Sequence, residues 1–184
     1  RCLGAGVERG ADGVWRVHGR GVGGFDEPSA VLDMGNSGTA ARLIIGLVAS
    51  QPFTSFFSGD ASLCARPMKR IIEPLTKIGA AFQAREGSRL PLAVSGAQDP
   101  IPIAYTLPVA SAQVKSAILF AALNTPGRTT VVEAQPTRDH SELMLRHFGA
   151  EVTVENTAEG GRVISLAGHP EIIGQDIVVP GDPS

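Results

Sequence analysis

The sequence is short of cysteine, aromatic residues and net charge. Its two cysteines, Cys2 and Cys64, stand too far apart for a metal or redox motif, so a reduced cytosolic protein is the expectation. Sixteen basic against eighteen acidic residues leave a net charge of -2, which excludes bulk attraction to nucleic acid or to an anionic membrane. Apolar stretches are brief, such as Ala117 to Leu123, whereas a membrane-spanning helix needs about 20 such residues. The N-terminus carries no apolar core long enough for a signal peptide. No G-x-x-x-x-G-K-[ST] loop is present, and "GRGVGG" (19–24) follows a strand pattern without opening a helix, so it reads as a turn. The four histidines lack metal-ligand spacing; His140 and His147 fall on one helix, exposed or half-buried.

Glycine and proline, at 22 and 13 of 184 residues, are plentiful, and 43% of residues are hydrophobic. That composition suits a globular chain of many short elements and tight turns. Its organisation is an internal repeat. An apolar residue followed by Gly-Ala occurs at Leu3-Gly4-Ala5, Ile78-Gly79-Ala80 and Phe148-Gly149-Ala150. After each comes a segment, a polar turn and a second apolar strand closing on glycine: "VWRVHG", "LPLAVSG" and "VISLAG". Helix patterns precede two of these sites. "RPMKRIIEPLTKIGA" places Met68, Ile71, Ile72, Leu75 and Ile78 on one face, with Pro74 expected to kink or split the helix. "DHSELMLRHFGA" does likewise with Leu143, Leu145 and Phe148, and both helices end on the glycine that a left-handed cap wants.

A second helix type repeats without a gap at an offset of 74: "SGTAARLIIGLVASQP" (37–52) over "SAQVKSAILFAALNTP" (111–126). Each is followed by a strand, "FTSFFSG" or "RTTVVEA". The expected unit is βαβαββ in an α/β fold, with repeats over about 1–24 (partial), 25–98 and 99–170, and a further element beginning at 171–184. The opening at a helix end, and "VVPGDPS" resembling the entry to a new helix at Ser184, suggest a piece of a longer protein.

Two helices thus begin with small or polar residues, Asn36-Ser37-Gly38-Thr39 and Ala110-Ser111-Ala112-Gln113. Plain capping by Ser37 and Ser111 accounts for such starts. So does an anion, because a helix N-terminus offers free N–H groups and about half a positive charge. Arg66 and Arg138 stand at matching loop-to-helix junctions, either as surface charges or as forks for carboxylate and phosphate. Lys115, one turn into its helix, either adds charge to that site or lies on a solvated face. Cys64 is reactive or, more simply, a small packing residue.

"LDMGNSGTAARL", "GDASLCARPMKR", "RLPLAVSG", "ASAQVKSAILFAAL" and "TRDHSELMLRHFGAEV" together resemble the EPSP synthase (3-phosphoshikimate 1-carboxyvinyltransferase) family, in wording like its bacterial glyphosate-tolerant class. The resemblance implies transfer of the enolpyruvyl group of phosphoenolpyruvate to the 5-hydroxyl of shikimate 3-phosphate, with no metal and no organic cofactor, in a cytoplasmic, monomeric enzyme. It implies an inside-out α/β fold of two similar domains, helices within and sheets outside, of which 1–184 is one incomplete domain. The missing second domain would be this chain's partner and would carry the catalytic groups, leaving this chain inactive alone. By the same resemblance Ser111, Ala112, Gln113 and Arg138 bind shikimate 3-phosphate, while Asn36, Gly38, Thr39, Arg66 and Gln113 face phosphoenolpyruvate. The Gly38 position often holds alanine in the tolerant class, which implies residual sensitivity to glyphosate here.

Rival readings are a UDP-N-acetylglucosamine enolpyruvyl transferase, an RNA 3′-phosphate cyclase and a non-catalytic repeat scaffold. The first of these typically has a reactive cysteine five residues before the arginine, where this sequence has Ala61.

Overall fold

The computed structural model describes residues 1–179 and 181. An antiparallel hairpin opens the chain, β1 (Gly6–Arg9) with β2 (Trp15–His18). The next unit runs β3 (Leu32–Asp33), α1 (Gly38–Val48), β4 (Thr54–Ser58), a short α2 (Ala61–Cys64), α3 (Lys69–Ile78), β5 (Ala81–Arg85) and β6 (Arg89–Ser95). It is followed by β7 (Ala104–Thr106), α4 (Ala112–Ala122), β8 (Arg128–Glu133), α5 (His140–His147), β9 (Val152–Asn156) and β10 (Arg162–Ala167).

The two full units fold alike. Their sheets have the orders β3-β4-β6-β5 and β7-β8-β10-β9, and in each the first pair is parallel and the other two antiparallel. Register repeats as well: Thr54 pairs with Ser95 where Arg128 pairs with Ala167. The βαβαββ reading from the sequence is therefore the fold of 32–167. The hairpin β1–β2 corresponds to the last two strands of a unit, and it leaves Val14, Trp15 and Val17 exposed.

Helices lie inside and sheets outside. Strands β6, β8 and β10 alternate buried with more exposed residues, as one-sided packing requires. Helix α4 is buried almost all round, from Val114 to Leu119 and again at Ala121 and Ala122, so it is the central rod of the core. Helix α1 buries Ala41, Ile45 and Val48 at steps of one turn. It crosses α4 at Gly46, where a Cβ would sit 2.7 Å from the Ala117 Cα. Only a residue without a side chain lets the two backbones come this close.

Two of the three Gly-Ala sites, at Gly79 and Gly149, are helix ends of one geometry. Gly79 and Gly149 hold φ of 121° and 100°, and Ala80 and Ala150 donate to the carbonyls of Leu75 and Leu145. That is the left-handed cap the sequence pattern predicts.

One of the two alternatives for Pro74, and one core assignment, fail in detail. Pro74 does not split α3, which runs unbroken from Lys69 to Ile78 with Pro74 on its buried side; it begins two residues later than the pattern suggests, after Met68. The missing N–H costs one helical hydrogen bond, and burial of Ile71, Leu75 and Ile78 at about 1.5–3 kcal/mol each outweighs it. On α5 the buried face is Glu142 and Leu145, while Leu143 points to solvent. A carboxylate has taken a core position because a buried lysine faces it. The sequence "VVPGDPS" ends in residues that lie outside those described, including Ser184.

Candidate active site

Each inner helix begins at a serine. Ser37 accepts from the Ala40 N–H at 3.1 Å, and Ser111 accepts from the Val114 N–H at 3.4 Å. Capping is therefore real at both tips, but it satisfies only one of the free N–H groups at each end. Helices α1 and α4 run in the same direction, with Thr39 against Gln113 at one end and Ser50 against Asn124 at the other. Both positive helix ends consequently face the same side of the molecule.

Hydrogen bonds knit the tips together. The Gln113 amide donates to the Thr39 hydroxyl at 2.8 Å. Arg42 donates from one nitrogen to the Gln113 Oε1 at 3.1 Å and to the Gly38 carbonyl at 3.0 Å. Arg66 donates to the Asn36 Oδ1 at 2.9 Å and to Ser62 at 3.1 Å. The Asn36 amide is turned toward Arg66 because its Nδ2 donates to Asp60 at 2.6 Å. Asp60 itself caps α2 through the Leu63 N–H, and that bond, with Asn36 and Arg66 beside it, holds its carboxyl below the usual carboxylate range.

Gly38 lies between the guanidinium groups. A Cβ built there would be 2.7 Å from the Arg42 Nη1 and 3.2 Å from the Arg66 Nη1. Arg138 joins from the third side: with Thr39, Ala112, Gln113 and His140 it lines a cavity of about 260 Å³. A second cavity of about 590 Å³, lined by Arg42, Lys69, Arg70 and Tyr105, meets the first at Gln113 and also reaches Ser111.

All eight residues singled out from the sequence therefore belong to one region. Asn36, Thr39 and Arg138 are exposed, Arg66, Ser111, Ala112 and Gln113 half-buried, and Gly38 buried. Among the described residues, none of Arg42, Arg66, Lys69, Arg70 and Arg138 makes an ion pair. Burial, together with nearby Arg66 and Arg70, lowers the pKa of Arg42 from its ordinary value. Five basic side chains beside two helix N-termini, outnumbering the Glu73 and Asp60 carboxylates near them, are suited to ligands with more than one anionic group.

Sequence reasoning missed Arg42, Lys69, Arg70 and His140. Arg42 carried a legible signal, since four residues from Gly38 is one helical turn on the same face. The reading of Lys115 needs correction: it neither faces solvent nor adds free charge to the tip. Its side chain is fully buried, 3.3 Å from Glu133 Oε1 and 2.6 Å from Glu142 Oε1. Cys64 is a packing residue, half-buried against the core, with its thiol donating to the Gly59 carbonyl at 3.2 Å.

The model of the family EPSP synthase (3-phosphoshikimate 1-carboxyvinyltransferase) matches residues 1–184. The chain belongs to the EPSP synthase family. Its similarity extends to the 3-phosphoshikimate 1-carboxyvinyltransferases of Paramagnetospirillum magneticum, 64% identical over the whole chain and 41% of that protein, and Novosphingobium aromaticivorans, 61% identical over the whole chain and 42% of that protein. Among solved structures, the EPSP synthase from Acinetobacter baumannii superposes with a TM-score of 0.85 at 44% identity, over 94% of this chain and 38% of that one. The chain thus spans about two fifths of the length of these EPSP synthases, and its inside-out α/β architecture is theirs.

Proposed function

We propose that this chain forms one wall of an EPSP synthase active site, where the enolpyruvyl group of phosphoenolpyruvate passes to the 5-hydroxyl of shikimate 3-phosphate and phosphate leaves. The observation that carries this reading is the continuous bonding of Thr39, Gln113 and Arg42 across two parallel helix tips, with Arg66 held by Asn36 at the edge. Ser111, Ala112, Gln113 and Arg138 hold the phosphate of shikimate 3-phosphate. Asn36, Gly38, Thr39, Arg66 and Gln113 face phosphoenolpyruvate, so Gln113 touches both substrates. The work of this wall is to keep two mutually repelling anions together and oriented. Residues 1–184 are one incomplete domain of two, and the other domain supplies the proton-transfer groups. The enzyme is a cytoplasmic monomer, and glyphosate competes for the phosphoenolpyruvate side.

Titrating the chain with shikimate 3-phosphate, followed by amide NMR shifts, tests the reading. Saturable shifts are expected at Ser111 to Gln113 and at Arg138. No shift at millimolar ligand, or shifts confined to the outer sheets, refutes it.

Gly38 gives a second test. In the full-length enzyme Gly38→Ala places a methyl against the Arg42 and Arg66 guanidinium groups, at the mouth of the site. The inhibition constant for glyphosate is expected to rise by about tenfold, the scale of one misfitting methyl group, with a smaller rise in KM for phosphoenolpyruvate. An unchanged inhibition constant in steady-state assays contradicts this assignment of Gly38.

A further inference from the structure

Lys115, Glu133 and Glu142 form a buried ionic trio, at most 2% exposed in any side chain. Such groups are poor stabilisers, because the lost hydration consumes most of their attraction and apolar residues of similar size often hold a core as well. What an ionic trio supplies is direction, and the direction here is specific. Lys115 sits one turn inside α4, its N–H bonded to the Ser111 carbonyl, directly beneath the tip formed by Ser111, Ala112 and Gln113. Glu133 is the last residue of β8, and Glu142 lies in the first turn of α5. Between them runs the irregular segment 134–139 that carries Arg138. Both ends of that segment are therefore fastened to one ammonium.

Two hydrogen bonds finish the arrangement. Thr137, next to Arg138, donates to the second oxygen of Glu133 at 2.7 Å. Ser141 and Ser116 bring their hydroxyls within 2.6 Å, and Ser116 donates to the Ala112 carbonyl at 2.8 Å. Among the described residues neither oxygen of Glu142 has a hydrogen-bond partner, so its hold on Lys115 is the ion pair through Oε1 alone.

We infer that Lys115, with Glu133, Glu142 and Thr137, is a positioning device that sets Arg138 against the α4 tip for the phosphate of shikimate 3-phosphate. The inference rests on the reading of the site given above. It predicts coupling: Lys115 matters to the ligand only through Arg138.

The test is a double-mutant cycle on the chain, with shikimate 3-phosphate and inorganic phosphate as probes and affinity read by NMR titration. Lys115→Met is expected to weaken both probes by about tenfold, the value of one well-placed charged hydrogen bond. In an Arg138→Ala background the same substitution is expected to change neither, a non-additivity that general loosening of the fold does not produce. Thr137→Val leaves all three charges in place and covers the case in which Lys115→Met does not fold. It is expected to weaken both probes by about threefold, part of the value of one hydrogen bond to a charged acceptor, while the fold persists with a lowered melting temperature. Unchanged affinity in Thr137→Val, or equal losses from Lys115→Met with and without Arg138, overturns the device while leaving the site intact. Failure of the unsubstituted chain to bind either probe overturns the site reading and the device with it.

Discussion

Gly46→Ala is expected to destabilise the chain severely, against the usual rule for helices. In an exposed helix interior, glycine to alanine gains about 1 kcal/mol of propensity. Here the added methyl meets backbone: it would stand 2.7 Å from the Cα and 2.9 Å from the carbonyl carbon of Ala117, with the Ala117 oxygen nearer still. A flexible side chain can step aside from such an overlap, but a backbone at the centre of the core cannot. Relief requires separating α1 from α4, and α4 is the rod on which both units pack. Overpacking of a core costs about 1–3 kcal/mol where side chains can adjust, and more where they cannot, so a net loss of about 3 kcal/mol is expected. That is a large share of the roughly 5–15 kcal/mol that holds a domain together. The urea midpoint of Gly46→Ala against the unsubstituted chain measures it. A variant as stable as the parent, or more so, shows that the two helices do not cross at this distance.

The same substitution links packing to the site. The 2.8 Å bond between Gln113 and Thr39 exists because the crossing at Gly46 holds the two tips side by side. Separation by an ångström breaks it, and misplacements of that size can cost about a hundredfold where ligands must be oriented. Ligand binding and stability are therefore expected to fall together in Gly46→Ala.

How much of this was legible in the sequence depends on whether the signal was local. The βαβαββ unit could be read because its marks lie within a few residues of one another: the Gly-Ala cap, the serine before a small-residue helix, the glycine-rich hairpin turn. The 74-residue offset between the inner helices did more, since it pairs Thr39 with Gln113, and the structure places that very pair in contact. Arg66 and Asn36 were assigned to one side of the site by the family resemblance, not by the repeat, and they are bonded.

What escaped was non-local. Lys115 and Glu142 lie 27 positions apart on different helices, and no periodicity tells a lysine that it will meet two carboxylates in the core. A charge on a mostly apolar helix read as solvated or as part of the site, and Leu143 read as core, because charge ordinarily seeks water or a ligand. Both assignments reverse once the partners are known. Pro74 escaped for a related reason: its effect on α3 is a local cost, while the burial that outweighs it is tertiary.

Arg66→Ala is expected to show the largest ligand effect in this wall. Its guanidinium stands at the edge of the α1 tip, half-buried, without a carboxylate ion pair among the described residues and oriented by Asn36, which Asp60 in turn fixes. That chain of bonds fixes the rotamer before a ligand arrives, so little side-chain entropy is lost on binding. A planar fork in that state makes paired, charge-assisted bonds to a phosphate or carboxylate. Removing it forfeits about 2–3 kcal/mol, or about a hundredfold in affinity for phosphoenolpyruvate. Arg66→Lys keeps the charge but not the fork, and a loss of about tenfold is expected. Asn36→Ala keeps the arginine but frees it to wander, and costs about threefold, the entropy of one long side chain now lost on binding. In an Arg66→Ala background, Asn36→Ala is expected to add nothing. Steady-state kinetics of the full-length enzyme at varied phosphoenolpyruvate and saturating shikimate 3-phosphate gives all four values. The pattern matters more than any single number, because a surface arginine would leave KM for phosphoenolpyruvate unmoved in every variant, and a merely structural one would disturb both substrates equally.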